Sequence, residues 1–382
     1  MKILLIGNYA KDHQFSMQKF TDCLEQGLLQ QGHQVKVCQP QAVFGLPFES
    51  TVSGLAKWLG YIDKYLLFPL MLRKQAQWAD IIHICDHSNA IYVPTIKKYA
   101  HLITCHDMMA VRSALGEFED HNQVGKSGQL QQQWILKGLQ AASNIASVSN
   151  GTQQDVMRLA KQPVDKLTVI HNGLNYAFSP VAKEQALALL THYGITENRR
   201  FLLHVGGNQW YKNRKGLLVI FNQLVMQQPT TDLQLVMAGK PLTDELRGLI
   251  KQYSLQDKII EITGLSTEAI AALYSLATAF IFPSLCEGFG WPIIEAQACN
   301  ALVFTSNREP MTEVGGDAAL YIDPENPNQA ALMITEALGN NDLIDQTLKA
   351  IPANLLQFGT ELMVAKYLSL YQAIILKKSQ RL

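Results

Sequence analysis

Short apolar segments that alternate with helical stretches constrain the fold of this chain more than any other feature. Before residue 172, the segments expected to form strands are Lys2–Ile6, Gln34–Cys38, Asp80–Ile84, Leu102–Cys105, Asn144–Val148 and Leu167–Ile170. After residue 200 they are Phe201–Val205, Leu233–Ala238, Ile259–Thr263, Ala279–Pro283, Leu302–Thr305 and Ala319–Ile322. Such alternation is typical of parallel sheets with helices on both faces. We therefore predict an α/β fold with two Rossmann-like domains that face each other across a cleft.

Helical stretches separate most of these segments. The clearest are Gln14–Gln31, Gln129–Ala142, Gln153–Lys161 and Thr360–Lys377. Thr152 and Asp155 have the spacing of a capping box, which predicts that the third of these helices starts there. The dipeptide Asn172-Gly173 favours a turn at the end of the first series. We predict an N-terminal domain over residues 1–172 and a C-terminal domain over residues 173–359.

Length and composition exclude several classes of protein. A chain of 382 residues is longer than one hydrophobic core usually supports, which again predicts two domains. The formal net charge is zero, which argues against a non-specific nucleic-acid binder. The sequence has no run of 18 apolar residues, so no membrane-spanning segment is expected. Met1–Ile6 is expected to be a first strand and not a signal peptide.

The six cysteines form no Cys-x-x-Cys pair, and several of them lie in apolar segments. This distribution favours reduced, buried thiols in a cytoplasmic protein. The sequence also lacks clustered zinc ligands, an Asp-x-Asp motif, and the glycine motifs of dinucleotide-binding and P-loop proteins. We therefore expect neither a metal ion nor a cofactor.

The segment from Pro283 to Pro310 holds the strongest functional signal. It contains a strand end, a glycine loop and a helix, for which Pro292 suits the first position. Glu287 lies in the loop and Glu295 in the expected first helical turn. Glycines allow backbone amides to approach a ligand closely, and a helix N-terminus favours phosphate. Carboxylates beside a phosphate site indicate a ligand with phosphates and hydroxyls, such as a nucleotide sugar.

A second loop, Gly206–Gly216, follows the first predicted strand of the second series. It contains three cations, Lys212, Arg214 and Lys215, ahead of an expected helix. Fixed positive charge there suits a diphosphate, because it offsets the charge that develops on a leaving group. A solvated surface charge is the alternative interpretation for each of the three.

The segment around Glu287 and Glu295 resembles the Glu-x7-Glu signature of the family 4 glycosyltransferases, which are retaining enzymes of the two-Rossmann-domain GT-B architecture. The resemblance implies that Glu287 contacts the donor sugar and that Glu295 binds the ribose hydroxyls. It gives the backbone of Gly288, Phe289 and Gly290 a donor-facing role. It also implies that a C-terminal helix within residues 360–382 crosses back to the first domain.

The family resemblance extends to further positions. Lys215 matches the family's lysine before the later glycine. Gly207 stands where the family has an arginine, so that contact is missing or has moved to Lys212 or Arg214. His106, at a strand end before Asp107, matches the histidine that approaches the donor sugar, although strand-end histidines often have only a structural role.

The sequence also shows two departures from the family pattern and one stretch with two possible interpretations. Only Gly7 follows the first strand where many members of the family have paired glycines, which leaves Asp12 and His13 as polar candidates in the acceptor loop. Asn300 replaces a glycine after the signature helix, and asparagine tolerates the left-handed conformation found there. The aromatic and basic stretch Leu55–Lys74 either packs on the sheet or contacts a membrane or lipid acceptor.

These observations predict a retaining, metal-independent hexosyltransferase. It would use a UDP- or GDP-linked sugar, and its acceptor would be a glycan, a lipid-linked saccharide or a small molecule, as in polysaccharide biosynthesis. We expect a cytoplasmic location, with peripheral contact at the inner membrane face as the alternative, and no nucleic-acid partner. The other functions considered are a non-catalytic sugar-nucleotide-binding or scaffold protein and a nucleotide-sugar epimerase.

Overall fold

The computed structural model describes residues 1–51, 53–197, 199–230 and 232–380. The chain divides into two compact units. The first unit consists of Met1–Asn175 together with the segment that starts at Gly359, and the second is Tyr176–Phe358. Each unit contains one six-stranded sheet in which all paired strands are parallel.

The sheet of the first unit has the strand order β2-β1-β3-β4-β5-β6. Its strands are β1 (Lys2–Ile6), β2 (Gln34–Cys38), β3 (Ile81–Ile84), β4 (His101–Cys105), β5 (Ile145–Ser147) and β6 (Leu167–Val169). The inner strands β3, β4 and β5 are buried at every position. Burial on both faces explains why these strands are continuous apolar runs in the sequence.

Helices cover this first sheet. Those before the sixth strand are α1 (Phe15–Gln30), α2 (Gly54–Ile62), α3 (Phe68–Ala76), α4 (Val93–Ile96), α5 (Met109–Ala114), α6 (Lys126–Ala141) and α7 (Asn150–Ala160). A π-helical turn, Asp63–Leu67, joins α2 to α3. The capping-box prediction for α7 is wrong, because the helix begins at Asn150 and the side chain of Ser149 accepts a hydrogen bond from the amide of Thr152.

The sheet of the second unit has the strand order β12-β11-β10-β7-β8-β9. Its strands are β7 (Phe201–Gly206), β8 (Gln234–Gly239), β9 (Ile259–Thr263), β10 (Ala279–Phe282), β11 (Val303–Ser306) and β12 (Leu320–Ile322). The order reverses between β7 and β10. In doubly wound sheets, ligands bind outside the carboxyl ends of the strands at such a reversal.

Eight helices of the described residues belong to the second unit. They are α8 (Lys183–Leu190), α9 (Arg214–Gln227), α10 (Asp244–Gln252), α11 (Thr267–Leu276), α12 (Trp291–Ala298), α13 (Met311–Gly315), α14 (Pro327–Leu338) and α15 (Asn341–Leu355). The helix α12 starts one residue earlier than predicted, so Pro292 occupies its second position and Glu295 lies in its second turn. Asn300 adopts the left-handed conformation with φ 58°, as predicted.

The last helix, α16 (Thr360–Ser379), is part of the first unit's core. Its buried side chains are Met363, Val364, Tyr367, Tyr371 and Ile374. A buried polar chain ties it to the sheet: His83 lies 2.6 Å from the Tyr371 hydroxyl and 2.7 Å from Thr104 Oγ1, which is 2.8 Å from the Tyr367 hydroxyl. The prediction that the C-terminal helix returns to the first domain is confirmed, and residues 381 and 382 of the predicted segment lie outside the described residues.

The α/β class with two Rossmann-like sheets is confirmed. All twelve predicted strands exist, and each observed end lies within one residue of its prediction. Within the described ranges, no helix combines the length and the apolar character that a membrane crossing requires.

Candidate functional site

Two loops of the second unit meet at the strand-order reversal. One connects β7 to α9, and the other connects β10 to α12. The Asn213 side chain donates to the Pro283 carbonyl at 3.1 Å, and the Leu285 amide donates to the Tyr211 carbonyl at 2.7 Å. Asn213 also accepts a hydrogen bond from the Gly216 amide and so caps α9. These bonds hold the two predicted ligand loops against each other.

Lys212 and Glu287 form an ion pair at the junction of the two loops. Lys212 Nζ lies 2.7 Å from Glu287 Oε1, and only 17% and 8% of the two side chains are exposed. The ammonium group also lies 5.0 Å from the centre of the Phe282 ring. Exclusion of water strengthens the interaction between the two charges. The structure therefore places one of the three predicted cations directly beside the predicted sugar-contacting glutamate.

Glu295 is the second acid of the predicted pair. The buried Tyr274 hydroxyl donates to Glu295 Oε2 at 3.2 Å. Burial raises the pKa of Glu295 to about 7, while the hydrogen bond from Tyr274 and the charge of Lys212 oppose this shift. Its carboxyl group consequently changes charge near neutral pH, which is uncommon for a glutamate.

The glycine loop that precedes α12 is buried, and its backbone conformation restricts which residues it can contain. Gly290 has φ 107° and ψ 47°, a conformation that residues with a Cβ rarely adopt. The Phe289 ring is buried against Phe358, with ring centres 5.7 Å apart. Gly288 is buried as well. Because the Phe289 side chain is buried, the predicted donor contact of Phe289 can come only from its backbone.

The other two cations have contrasting surroundings. Arg214 is 3% exposed, and its Nη1 donates to Asn208 Oδ1 at 2.6 Å and to the Lys240 carbonyl at 2.9 Å. Lys215 is 64% exposed and pairs with Glu245 at 2.8 Å. The structure does not bring Lys215 into contact with Glu287, so the donor role that the resemblance implies for Lys215 stays a prediction.

Three buried side chains near these loops have polar atoms without a partner among the described residues. They are Arg214 (Nε and Nη2), His204 (Nε2) and Ser284 (Oγ). His204 Nδ1 donates to the Ile281 carbonyl at 3.1 Å, and burial lowers the pKa of His204 to about 3, which leaves Nε2 as an acceptor. A polar ligand would supply the missing hydrogen bonds. Sequence reasoning missed His204 and Ser284, although both are polar residues within or directly after an apolar strand.

His106 follows β4 in the first unit. It is 5% exposed, its Nε2 donates to the Cys85 carbonyl at 2.9 Å, and its ring packs edge-on against Phe20. Burial lowers the pKa of His106, although the charge of Asp86 opposes the shift. The neutral ring is thus oriented by the backbone, and its catalytic role stays a prediction.

Asp86 and His87 follow β3 and were not singled out in the sequence. Asp86 Oδ2 accepts from Asn8 Nδ2 at 2.6 Å, and Asp86 Oδ1 lies 3.1 Å from His87 Nδ1. Burial opposes ionisation of Asp86, but the charge and hydrogen bond of His87, together with His106 and Ser88, lower its pKa. The sequence contains a signal for them, because two adjacent ionisable residues lie just beyond the carboxyl end of a buried strand.

The acceptor-loop candidates Asp12 and His13 lie beside the stretch Leu55–Lys74. Asp12 pairs with Lys64 at 2.7 Å and accepts from Thr51 at 2.9 Å, while His13 is exposed and lies 3.1 Å from the Glu49 carbonyl. These contacts give Asp12 a structural role, and the acceptor role of both residues stays a prediction.

The stretch Leu55–Lys74 has a buried and an exposed face. Phe68 and Leu72 lie in the core, and Lys64 is buried beside Asp12. Large apolar side chains on the other face are exposed: Leu55, Trp58, Leu66 and Leu70. Packing on the sheet therefore accounts for only part of the aromatic and apolar pattern.

Among the residues that the structure describes, no three His, Cys, Asp or Glu side chains are grouped so that they could hold a metal ion. All six cysteines are free thiols, and four of them are buried.

Comparisons with known proteins agree with the fold. The family described as glycosyl transferases group 1 matches residues 190–351, and the one described as glycosyltransferase family 4 matches residues 17–178. An O-antigen chain mannosyltransferase B of Escherichia coli is 27% identical over 53% of this chain, and the aligned part spans only 54% of that relative's length.

Two solved structures show the same fold over nearly the whole chain. A sucrose-phosphate synthase from Thermosynechococcus elongatus is 18% identical with a TM-score of 0.74, covering 99% of this chain and 100% of that one. The Anabaena protein HepE, solved with UDP and glucose, is 15% identical with a TM-score of 0.71, covering 98% and 99%. At these identities the likeness concerns the fold alone.

Proposed function

Because this chain belongs to the family 4 glycosyltransferases of the GT-B fold, we propose that it transfers a hexose from a nucleoside diphosphate sugar to an acceptor hydroxyl with retention of configuration. The observation that carries this proposal is the Lys212–Glu287 pair at the strand-order reversal of the second unit. It places a cation and a carboxylate side by side on the two loops where a ligand of a doubly wound sheet binds.

The chemistry follows from the charges that change during transfer. The acceptor oxygen bonds to the anomeric carbon as the bond from that carbon to the diphosphate oxygen breaks. The departing phosphate gains negative charge, which Lys212 offsets, and it takes the proton of the acceptor hydroxyl on the same face of the sugar. Glu287 orients the sugar and stabilises positive charge at the anomeric carbon, and it does not act as a nucleophile. Preorganised charges of this kind supply the largest part of many rate enhancements.

In this proposal, the nucleotide part of the donor binds to residues near the Lys212–Glu287 pair. Glu295 binds the ribose hydroxyls, and the unpartnered atoms of Arg214, His204 and Ser284 indicate unfilled hydrogen-bonding capacity at the same loops. The reaction needs no metal ion, because Lys212 supplies positive charge at the leaving group. We infer a UDP- or GDP-linked donor, and the named ligands of HepE support the first of these.

The acceptor is proposed to be a glycan or a lipid-linked saccharide in polysaccharide biosynthesis. The support is the partial similarity to an O-antigen mannosyltransferase. We further propose peripheral contact with the inner membrane face through the exposed apolar residues of Leu55–Lys74. The cations Lys57, Arg73 and Lys74 belong to the same stretch, and a basic, apolar helix surface suits an anionic interface.

The test starts with a thermal-shift screen against UDP, GDP, ADP and their sugars, because a bound ligand raises stability with its concentration over its Kd. Steady-state rates are then measured with the best donor and an acceptor library. We expect Glu287→Ala to lower turnover about 100-fold or more, with Glu245→Ala as an exposed control near the wild-type rate. Activity should survive EDTA.

Several results would contradict the proposal. Near-wild-type turnover of Glu287→Ala would remove the site assignment. Loss of activity in EDTA that manganese restores would remove the metal-free mechanism. Conversion of the donor sugar without any acceptor would favour an epimerase, and ligand binding without any turnover would favour a binding or scaffold protein.

A further inference from the structure

The first unit contains a cavity of about 370 Å³ whose lining residues take no part in the proposed glycosyl-transfer site. Its lining includes His101, the first residue of β4, together with Asn144 and Lys166, which directly precede β5 and β6. The cavity thus lies at the amino ends of three parallel strands. His106 follows the carboxyl end of β4, so the two features occupy opposite edges of one sheet.

Five lysines line this cavity: Lys97, Lys98, Lys166, Lys377 and Lys378. Asp165 is the one carboxylate in the lining. In the part of the chain that the structure describes, none of the five lysines forms an ion pair, whereas Lys64, Lys183, Lys212 and Lys215 each have a carboxylate partner. The cavity therefore concentrates unneutralised positive charge.

The negative ends of nearby helices neutralise only part of the positive charge of these lysines. The helices α4 and α16 end at Ile96 and Ser379, within two positions of lining lysines, and α6 ends at Ala141, which is itself part of the lining. Each helix C-terminus carries about half a negative charge. Three such ends and Asp165 together contribute about −2.5 charges against +5 from the lysines, which leaves an excess of about +2.5.

The cavity also has a buried apolar wall and an ordered cation. Ala100, Ala142 and Ile374 contribute buried apolar surface to the lining. Lys378 Nζ donates a hydrogen bond to the Lys98 carbonyl, which fixes one ammonium group beside the cavity. Burial lowers the pKa of Lys378. A counter-anion would relieve the cost of holding this cation partly out of water.

We propose that this cavity binds the phosphate or diphosphate group of an organic phosphate, with the carbon part of that ligand against the apolar wall. The volume lies at the lower end of the range for small-molecule sites, about 300 to 1,000 Å³. Lysine ammonium groups are common phosphate ligands because each supplies a full charge and three donors. This site goes beyond the proposed transfer reaction and does not depend on it.

The test is a calorimetric titration of the full chain with inorganic pyrophosphate at low ionic strength. We expect saturable binding that weakens about 10-fold or more in the double variant Lys97→Gln, Lys377→Gln, because two charge-assisted contacts are lost. The matched control Lys251→Gln, Lys349→Gln removes the same charge from exposed positions of the second unit and should bind like the wild type. Lys98→Gln with Lys166→Gln is the second cavity variant if the first does not fold.

A third variant separates this cavity from the donor site. Lys212→Ala removes the cation beside Glu287 and should leave the cavity's pyrophosphate affinity unchanged. Binding that survives in both cavity variants but disappears in Lys212→Ala would overturn the proposal and leave the proposed function intact. Absence of any saturable binding to the wild type would overturn it as well.

Vesicle flotation identifies the source of the phosphate. Vesicles of phosphatidylcholine with and without phosphatidylglycerol are compared for the wild type and the Lys97→Gln, Lys377→Gln variant. Loss of anionic-vesicle binding in the variant would assign the phosphate to a lipid headgroup. Pyrophosphate binding that depends on these lysines, without any effect of the variant on flotation, would assign it to a soluble phosphate compound.

Discussion

Two lysines three positions apart, one before α9 and one in its first turn, have different surroundings, and this difference predicts different functions. Lys212 is largely buried beside Glu287, whereas Lys215 is exposed and pairs with the exposed Glu245. Lys212 ends the turn Trp210–Lys212. The left-handed Asn213 follows it, and α9 then begins at Arg214. A partly buried charge next to the reacting groups affects the transition state, whereas an exposed ion pair contributes about 0 to 1 kcal/mol to stability.

We expect Lys212→Ala to lower kcat about 100-fold or more and Lys215→Ala to stay within about threefold of the wild type. The two variants change the net charge equally, so each serves as the control of the other. Steady-state kinetics with saturating acceptor measures the effect. If the larger loss belongs to Lys215→Ala, the family resemblance identifies the phosphate-binding lysine better than the geometry does.

The raised pKa of Glu295, also a property of a single residue, predicts that the stability of the protein depends on pH. Its folded-state pKa of about 7 lies above the ordinary value of 4.5. The folded protein therefore binds the proton more tightly than the unfolded chain, and the stability from this group is present below pH 4.5 and lost as the pH rises through 7. Glu295→Gln cannot ionise and avoids that loss.

The Tm of Glu295→Gln minus that of the wild type should accordingly be more positive at pH 8 than at pH 5. Scanning calorimetry of the ligand-free proteins at both pH values measures it. Glu261→Gln provides a control at a glutamate that pairs with Arg247. A Tm difference that is the same at both pH values would show that Glu295 does not titrate near neutrality.

At the scale of the element, the pair of helices α2 and α3 has two faces with separate tasks. Phe68 is 1% exposed and contacts the Tyr92 ring at 4.8 Å between ring centres, so it belongs to the core. Trp58 is 58% exposed and contacts Tyr61 only at its edge, with ring centres 5.5 Å apart. The same aromatic periodicity in the sequence thus covers a core residue and a surface residue.

We expect Trp58→Glu with Leu66→Glu to reduce flotation of the protein with phosphatidylglycerol vesicles and to leave the Tm nearly unchanged. Phe68→Ala should instead lower stability by about 3 to 5 kcal/mol, because it leaves a cavity in the core. Trp134→Glu changes an exposed tryptophan on the neighbouring α6 and serves as the control. Equal flotation of the wild type and the Trp58 variant would exclude this face as the membrane contact.

At the scale of the whole molecule, α16 is distant in sequence from the sheet against which it packs. It supplies Tyr367, Tyr371 and three further buried side chains to the core of the first unit. Complete burial of one large apolar side chain contributes about 1.5 to 3 kcal/mol. The loss of five such side chains is about as large as the entire stability of a typical domain, about 5 to 15 kcal/mol.

We therefore expect residues 1–359 to contain one folded and one unfolded unit. Residues 176–358 expressed alone should fold, since their apolar core comes entirely from that segment. Circular dichroism melts of both fragments and of the full chain measure this. A first unit that melts at its full-length temperature without α16 would show that the helix adds little to the core.

The sequence by itself determined the twelve strands and the two-sheet α/β class, and it identified Glu287 and Glu295 as site candidates, whose roles stay predictions. These features are local, because a buried parallel strand needs only a short apolar run and a glycine loop needs only its own residues. Asn300 is an example, since its left-handed backbone follows from its residue type and its position after a helix.

Only the tertiary structure decided which cation contacts Glu287, how burial shifts the pKa of Glu295, and which residues of Leu55–Lys74 are exposed. Lys212 and Glu287 are 75 positions apart and meet because β10 lies next to β7 in the sheet. The pairing of His83 with Tyr371 spans 288 positions. Contacts of this range depend on strand order and on the packing of distant helices, and no local pattern of residues encodes either of them.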